Sequence, residues 1–381
     1  MDLFSRDQDY IANTYARFPL AVSGGKGSVW IGEDGREYID LGSGIAVNVF
    51  GASDEEWVQA VSGQARLLSH TSNWYYTKPQ VALACMLLEK SGMAKVFFGN
   101  SGAEANECAI KVARKYGGKR YKIISLEGSF HGRTLATLAM TGQDIFHEQY
   151  LPLPEGFTYV SPYDLAALEK AFDDPAVCAL MMEIVQGEGG VEPISRAFAQ
   201  RAQELCHEHD ILLMVDEIQT GMGRTGALFA YMHYGLRPDV VTAAKGLGGG
   251  LPIGACLMGQ KTEGVLSLSD HGSTFGGNPV CCAAALSVLG RMNQPLYDEI
   301  NEKSRFMITE LTGLPGVKSL SGMGLMLGIE TVNPARETAL QCLEKGVLVL
   351  TAKGKIRLLP PVNIPWPLLR IGMAALAESL A

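Results

Sequence analysis

Two charged residues stand where a folded chain tolerates them least. Asp216 follows the apolar run 211–215, and Lys245 follows the apolar run 240–244. Runs of that length and composition are read as buried strands, so each charge is carried to a strand end inside the protein. A carboxylate there needs a cationic partner, which a pyridinium nitrogen would supply. The ordinary place for a lysine is a solvated face, but Lys245 is dragged inward, and desolvated lysines are candidates for condensing with a carbonyl.

Three further loops follow the same logic. After the run 94–98, residues Gly99, Asn100, Ser101, Gly102 and Ala103 turn directly into an amphipathic segment. Backbone N–H groups at such a helix start, with the Ser101 hydroxyl, suit a phosphate; an ordinary capped turn has the same composition. No Lys-Ser or Lys-Thr follows at P-loop spacing, which argues against a nucleoside triphosphate. Phe130 and Arg133 flank a glycine loop after 121–126: the ring suits a planar ligand and the guanidinium a carboxylate, or each is simply packing and a surface ion pair. Glu188 stands on the bare loop Gln186-Gly187-Glu188-Gly189-Gly190, where it meets solvent or a ligand. The pattern Gly221-Met222-Gly223-Arg224-Thr225-Gly226 matches a dinucleotide fingerprint literally but not in context. Asp216 to Thr220 separate it from the preceding strand, and Asp239 starts a strand instead of ending one.

The elements that must hold these loops are regular. Short apolar runs at 94–98, 121–126, 177–185, 211–215 and 240–244 alternate with stretches long enough for helices, such as 103–116 and 195–209. That alternation predicts an α/β fold, a mainly parallel sheet covered by helices on both faces. In such sheets ligands bind beyond the carboxyl ends of the strands, where all five loops fall. A phosphate turn, a stacking ring, a buried aspartate and a buried lysine on one sheet edge are the parts that pyridoxal phosphate requires. The flanks differ: residues 29–40 form a hairpin around Asp34-Gly35, a helix starts near 283, and 346–350 and 355–359 are strand-like. The expected division is 1–55 and 281–381 for a smaller domain built from both chain ends, and 56–280 for the large cofactor domain.

Composition limits the partners. The chain has 381 residues, 47% hydrophobic and 19% charged, with a net charge of −8 from 32 basic and 40 acidic residues. This disfavours nucleic acid or an anionic membrane and favours small molecules. No apolar run reaches about 18 residues and no charged-then-apolar leader opens the chain, so a soluble cytoplasmic protein is expected. Eight cysteines without a C-x-x-C pair predict buried thiols in a reducing compartment and no metal site.

With these residues in place, the chain resembles the ornithine-type, class-III pyridoxal-phosphate aminotransferases of fold type I, from about residue 13 to 361. The resemblance is carried by His70-Thr71-Ser72-Asn73-Trp74-Tyr75-Tyr76, Asn100-Ser101-Gly102-Ala103-Glu104-Ala105-Asn106-Glu107 and Phe130-His131-Gly132-Arg133. Gln186-Gly187-Glu188-Gly189, Asp216-Glu217-Ile218-Gln219-Thr220-Gly221, Lys245-Gly246-Leu247-Gly248-Gly249-Gly250, Gly272-Ser273-Thr274-Phe275-Gly276-Gly277-Asn278-Pro279 and Arg357-Leu358-Leu359-Pro360-Pro361 complete it.

The resemblance implies that Lys245 holds pyridoxal 5'-phosphate as an internal aldimine and shuttles the proton, while Asp216 keeps the pyridine nitrogen protonated. Ser101, Gly102, Ala103, Phe130, Glu217, Ile218 and Gln219 would complete the cofactor site, with Thr274 reaching across a homodimer to the neighbouring site. Arg133, Glu188, Ser273 and Arg357 would bind substrate: Glu188 neutralises Arg357 when the amine donor is bound and swings away for 2-oxoglutarate. N-acetylornithine is the implied donor in a ping-pong transamination of arginine biosynthesis. Free ornithine, succinyldiaminopimelate and 4-aminobutyrate are alternative donors, an aminomutase an alternative reaction, and a non-catalytic ligand sensor an alternative class. A cysteine enzyme using Cys281 or Cys282 lacks a histidine partner beyond His271. One departure is Gly51-Ala52-Ser53-Asp54-Glu55-Glu56, where relatives carry Gly-His-x-His-Pro.

Overall fold

The computed structural model describes residues 3–381; Met1 and Asp2, the start of the stretch read for a leader, lie outside the described residues. Among the described residues the centre of the molecule is a seven-stranded sheet. Its spatial order is Lys95–Gly99, Gly254–Met258, Val240–Ala243, Leu212–Asp216, Val177–Met182, Lys122–Leu126, Phe157–Val160. All neighbours pair in parallel except Gly254–Met258, which runs against Val240–Ala243 and Lys95–Gly99. The expected α/β sheet is therefore present, with two strands the apolar runs did not reveal. Gly254–Met258 is built on small and sulfur-containing residues, and Phe157–Val160 is only four residues long.

The run 177–185 is not one strand. It stops at Met182, and Val185–Gln186 pairs separately with Glu192–Pro193. The break falls at Glu183, a buried carboxylate that accepts hydrogen bonds from the Phe130 and Gly187 N–H groups. The strand thus ends where a carboxylate interrupts the apolar run.

Helix Gly102–Gly117 shows how the sequence sets an element. Ser101 caps it, its hydroxyl accepting from Glu104 N; Glu104 stands in the first turn and Arg114 and Lys115 in the last, complementing the helix dipole. Ala105, Cys108, Ala109, Val112 and Ala113 form the buried stripe against the sheet.

The chain ends meet. Val29–Gly32 and Glu37–Asp40 form the expected hairpin, and Val347–Leu348 adds in parallel, pairing with Ile39 and Asp40. Leu350–Ala352 leaves that sheet for another with Lys355–Leu358, Met326–Thr331 and Val317–Met323, so 346–350 is split between two sheets. The departure at 51–56 serves as a helix start: Asp54 accepts from Trp57 N at 3.1 Å and pairs with Arg291 at 2.8 Å. All eight cysteines are unpaired; six are buried as expected, but Cys85 is exposed and Cys281 half-buried. Among the described residues, no helix is long and apolar enough to cross a membrane, and no three metal-ligating side chains cluster.

Candidate active site

A cavity of about 390 Å³ opens at the carboxyl edge of the central sheet. Ser101, Gly102, Ala103, Phe130, Glu188, Asp216, Ile218, Gln219 and Lys245 line it, together with Val47, His131 and Glu183. Nine residues singled out in the sequence are thus brought together. This size is at the small end of the range for ligand sites.

Asp216 is held rigidly at its strand end. Its Oδ2 accepts from Asn106 Nδ2 and lies against His131 Nδ1, both at 2.8 Å, and its Oδ1 accepts from Ile218 N at 3.0 Å. Asn106 is fixed in turn by the Thr242 hydroxyl at 2.7 Å. Asn106, His131 and Thr242 are buried, and sequence reasoning assigned them no role. Asn106 and His131 lay inside quoted motifs, the only signal available.

Lys245 takes a left-handed backbone conformation, φ 46°, which a side chain adopts only under constraint from its surroundings. Among the described residues its Nζ has no hydrogen-bond or ion-pair partner. Burial pulls its pKa down, opposed by Glu188, Asp216 and Glu183 and reinforced by Arg357. Such a group is predisposed to supply a neutral amine.

Glu188 and Arg357 form a closed pair. Arg357 Nη1 lies 2.5 Å from Glu188 Oε1 and also donates to Gln219 Oε1 at 3.2 Å and Gly187 O at 3.3 Å. Burial raises the Glu188 pKa, but Arg357, Lys245 and Gln219 together outweigh burial and leave it lowered, so the carboxylate is ionised at neutral pH. The Gln219 amide is spent within this pair, its Nε2 lying 3.5 Å from Glu188.

The remaining expected residues sit apart from the cavity wall. Arg133 is exposed beside it, its guanidinium 4.1 Å from the Phe146 ring centre and 5.4 Å from that of Phe130. Phe146 was not foreseen. Glu217 faces the interior: its carboxylate accepts from Thr220 Oγ1 at 2.5 Å and Tyr231 N at 2.8 Å, and burial pushes its pKa up to about 7. Its side chain acts as a packing polar group, not as a cavity ligand. Ser273 accepts from Asn100 Nδ2 at 3.0 Å behind the phosphate turn, and Thr274 is exposed outside the cavity of its own chain.

The residues present fit pyridoxal phosphate. The start of helix Gly102–Gly117 lines one end, where a Cβ on Gly102 would come within 2.8 Å of Ile218 Cδ1, so only bare backbone closes that corner. An anion suits that helix end, a cation suits Asp216, and an unpaired lysine lines the same cavity.

Fold and site together define a transferase of amino groups, and comparison with known proteins agrees. The model of the family "Aminotransferase class-III" matches residues 10–380, and the chain belongs to that family. It is 50% identical to an acetylornithine aminotransferase of Haemophilus ducreyi, over 98% of this chain and 97% of that one. It is 43% identical to an acetylornithine aminotransferase of Methanocaldococcus jannaschii, over 94% and 92%. The solved N-acetylornithine aminotransferase of Stenotrophomonas maltophilia superposes with a TM-score of 0.86 at 34% identity, covering 99% of this chain and 98% of that one.

Proposed function

We propose that this chain is a pyridoxal-phosphate-dependent aminotransferase that moves the distal amino group of N-acetylornithine to 2-oxoglutarate, giving N-acetylglutamate 5-semialdehyde and glutamate in arginine biosynthesis. The observation that carries this reading is the unpaired, desolvated Lys245 sharing one cavity with Asp216 and with Glu188, which holds Arg357 just outside the lining. Full-length relatives with the acetylornithine name favour that donor over free ornithine.

When bound, the cofactor supplies an aldehyde to engage the amine and a protonated ring to draw electrons from the substrate carbon. Lys245 anchors it and then moves a proton at that carbon through Nζ. Asp216 would keep positive charge on the ring nitrogen, and Phe130 and Ile218 would cover the ring. Ser101, Gly102 and Ala103 would bind the phosphate, and Gln219 would reach the ring hydroxyl by turning its amide away from the Glu188–Arg357 pair. Arg133 holds the donor's α-carboxylate. Glu188 neutralises Arg357 for the donor and releases it for 2-oxoglutarate, so one cavity serves two differently charged substrates.

The active unit in this reading is a homodimer, with Thr274 and the adjacent Ser273 serving the neighbouring site. Trp74, Tyr75, Tyr76 and Phe275 are 86%, 72%, 100% and 59% exposed beside that loop, and Asn73 ties the two segments by donating to Ser273 O and Gly276 O. Apolar surface of this kind favours a protein partner. Chain segments 1–55 and 281–381 make the smaller domain and 56–280 the larger, in a cytoplasmic protein with free thiols. Steady-state glutamate formation from N-acetylornithine and 2-oxoglutarate tests the function: parallel double-reciprocal lines support it, and turnover with free ornithine alone contradicts the donor.

A further inference from the structure

The glycine pattern at 221–226 binds no nucleotide in this reading, yet it buries a guanidinium. Arg224 is 1% exposed, and burial pulls its pKa down to about 9, with Asp40 opposing. An ion that deep persists only when well paired. Its Nη1 donates to Leu325 O at 3.1 Å and Pro360 O at 2.5 Å, and its own carbonyl accepts from Leu325 N at 2.9 Å. Leu325 immediately precedes strand Met326–Thr331, and Pro360 lies two residues after strand Lys355–Leu358; these strands pair with Gly328 opposite Arg357. One side chain therefore grips both strands of the pair that carries Arg357, at the same end.

The same residue reaches a second segment, one that leads to the cavity wall. Its Nη2 lies 3.5 Å from Ser43 Oγ, which donates to Leu359 O at 2.6 Å. Ser43 opens the segment Ser43–Ala46, whose φ values of 42°, 61°, 64° and 61° are all left-handed. Such a turn costs about 1–2 kcal/mol per non-glycine residue and stands only where its surroundings impose it. Asp40, the counter-charge of Arg224, accepts from Gly42 N at 2.8 Å and Ser43 N at 2.7 Å. The turn delivers Val47 to the cavity.

We propose that Arg224 is a positioning residue for the acceptor: it fixes the Arg357 strand against the Ser43–Ala46 turn, so that Arg357 and Val47 meet the dicarboxylate at a set spacing. This rests on the proposed function, in which Arg357 receives the α-carboxylate of 2-oxoglutarate. Loss of Arg224 therefore weakens acceptor binding and leaves the donor half-reaction largely intact.

The test uses holoenzyme of wild type, Arg224→Met, Arg224→Lys and Ser43→Ala, measuring KM for each substrate, kcat, and the Kd of unreactive glutarate by calorimetry. Arg224→Met should raise the 2-oxoglutarate KM and the glutarate Kd at least about tenfold, an ångström of misplacement costing up to about 10²-fold. The donor KM should change less than about twofold, and Arg224→Lys should recover part of the loss by keeping the charge without the fork. A purely structural role would lower the melting temperature and the active fraction while leaving both acceptor constants unchanged, which overturns the proposal. If Arg224→Met does not fold, Ser43→Ala decides: a glutarate Kd raised severalfold supports the proposal and an unchanged one overturns it. Wild type that neither turns over 2-oxoglutarate nor binds glutarate overturns the proposed function instead.

Discussion

Glu188 Oε1 lies 2.5 Å from Arg357 Nη1, across 169 residues of chain, and the contact ties Arg357 to a carboxylate that lines the cavity. In the proposed function, the neutralised Arg357 suits the cavity to a substrate with no second carboxylate. In Glu188→Gln the guanidinium stays uncompensated, since removing one member of a desolvated pair exposes the full cost of the other. The expected result is a fall in kcat/KM for N-acetylornithine of about tenfold or more, with the 2-oxoglutarate KM unchanged or lower. Equal losses for both substrates would show that the pair does not discriminate between them.

Asn106 holds Asp216 from behind. Asn106→Ala removes one donor to a charged group, an interaction worth about 1.5–3 kcal/mol, so kcat should fall about 10- to 100-fold. Both KM values should stay within about threefold, because Asn106 does not line the cavity. Thr242→Val, which loosens Asn106 only, should cost less. Wild-type kcat in Asn106→Ala would mean that Asp216 needs no such support.

Glu217 gives a signature in stability. Its native pKa of about 7 lies above the ordinary 4.5, so between these values the native chain keeps a proton that the unfolded chain releases. The contribution is full below pH 4.5 and lost as pH rises through about 7. Relative to Glu217→Gln, the urea midpoint of wild-type apoprotein should fall between pH 5 and pH 8, equivalent to about 2–3 kcal/mol at most. A constant difference across that range would contradict the burial of this carboxyl.

Asp216 and Lys245 were legible in the sequence because each follows an apolar strand and precedes a loop, a placement with few structural uses. The phosphate turn was legible as a strand running directly into a capped helix. Arg357 was visible only through the family resemblance, since nothing local marks an arginine that meets its carboxylate 169 residues away. Asn106, His131 and Thr242 were hidden for the same reason: their partners come from three separate strands and loops. Glu183 was hidden inside an apolar run, and strand Gly254–Met258 by the small residues that let its neighbours close over it. Glu217 shared the strand-end position of Asp216, yet its side chain points the other way, a distinction of rotamer and backbone that spacing does not carry.

The central claim is that Lys245-held cofactor takes the distal amine of N-acetylornithine. Purified protein loaded with pyridoxal phosphate, mixed with N-acetylornithine without any keto acid, tests it through the visible absorbance of the lysine-bound cofactor. That band should disappear within a single turnover, and 2-oxoglutarate added afterwards should restore it with one glutamate formed per site. A band that persists with N-acetylornithine in wild type, or the same lysine-bound band present in Lys245→Ala, would contradict the account.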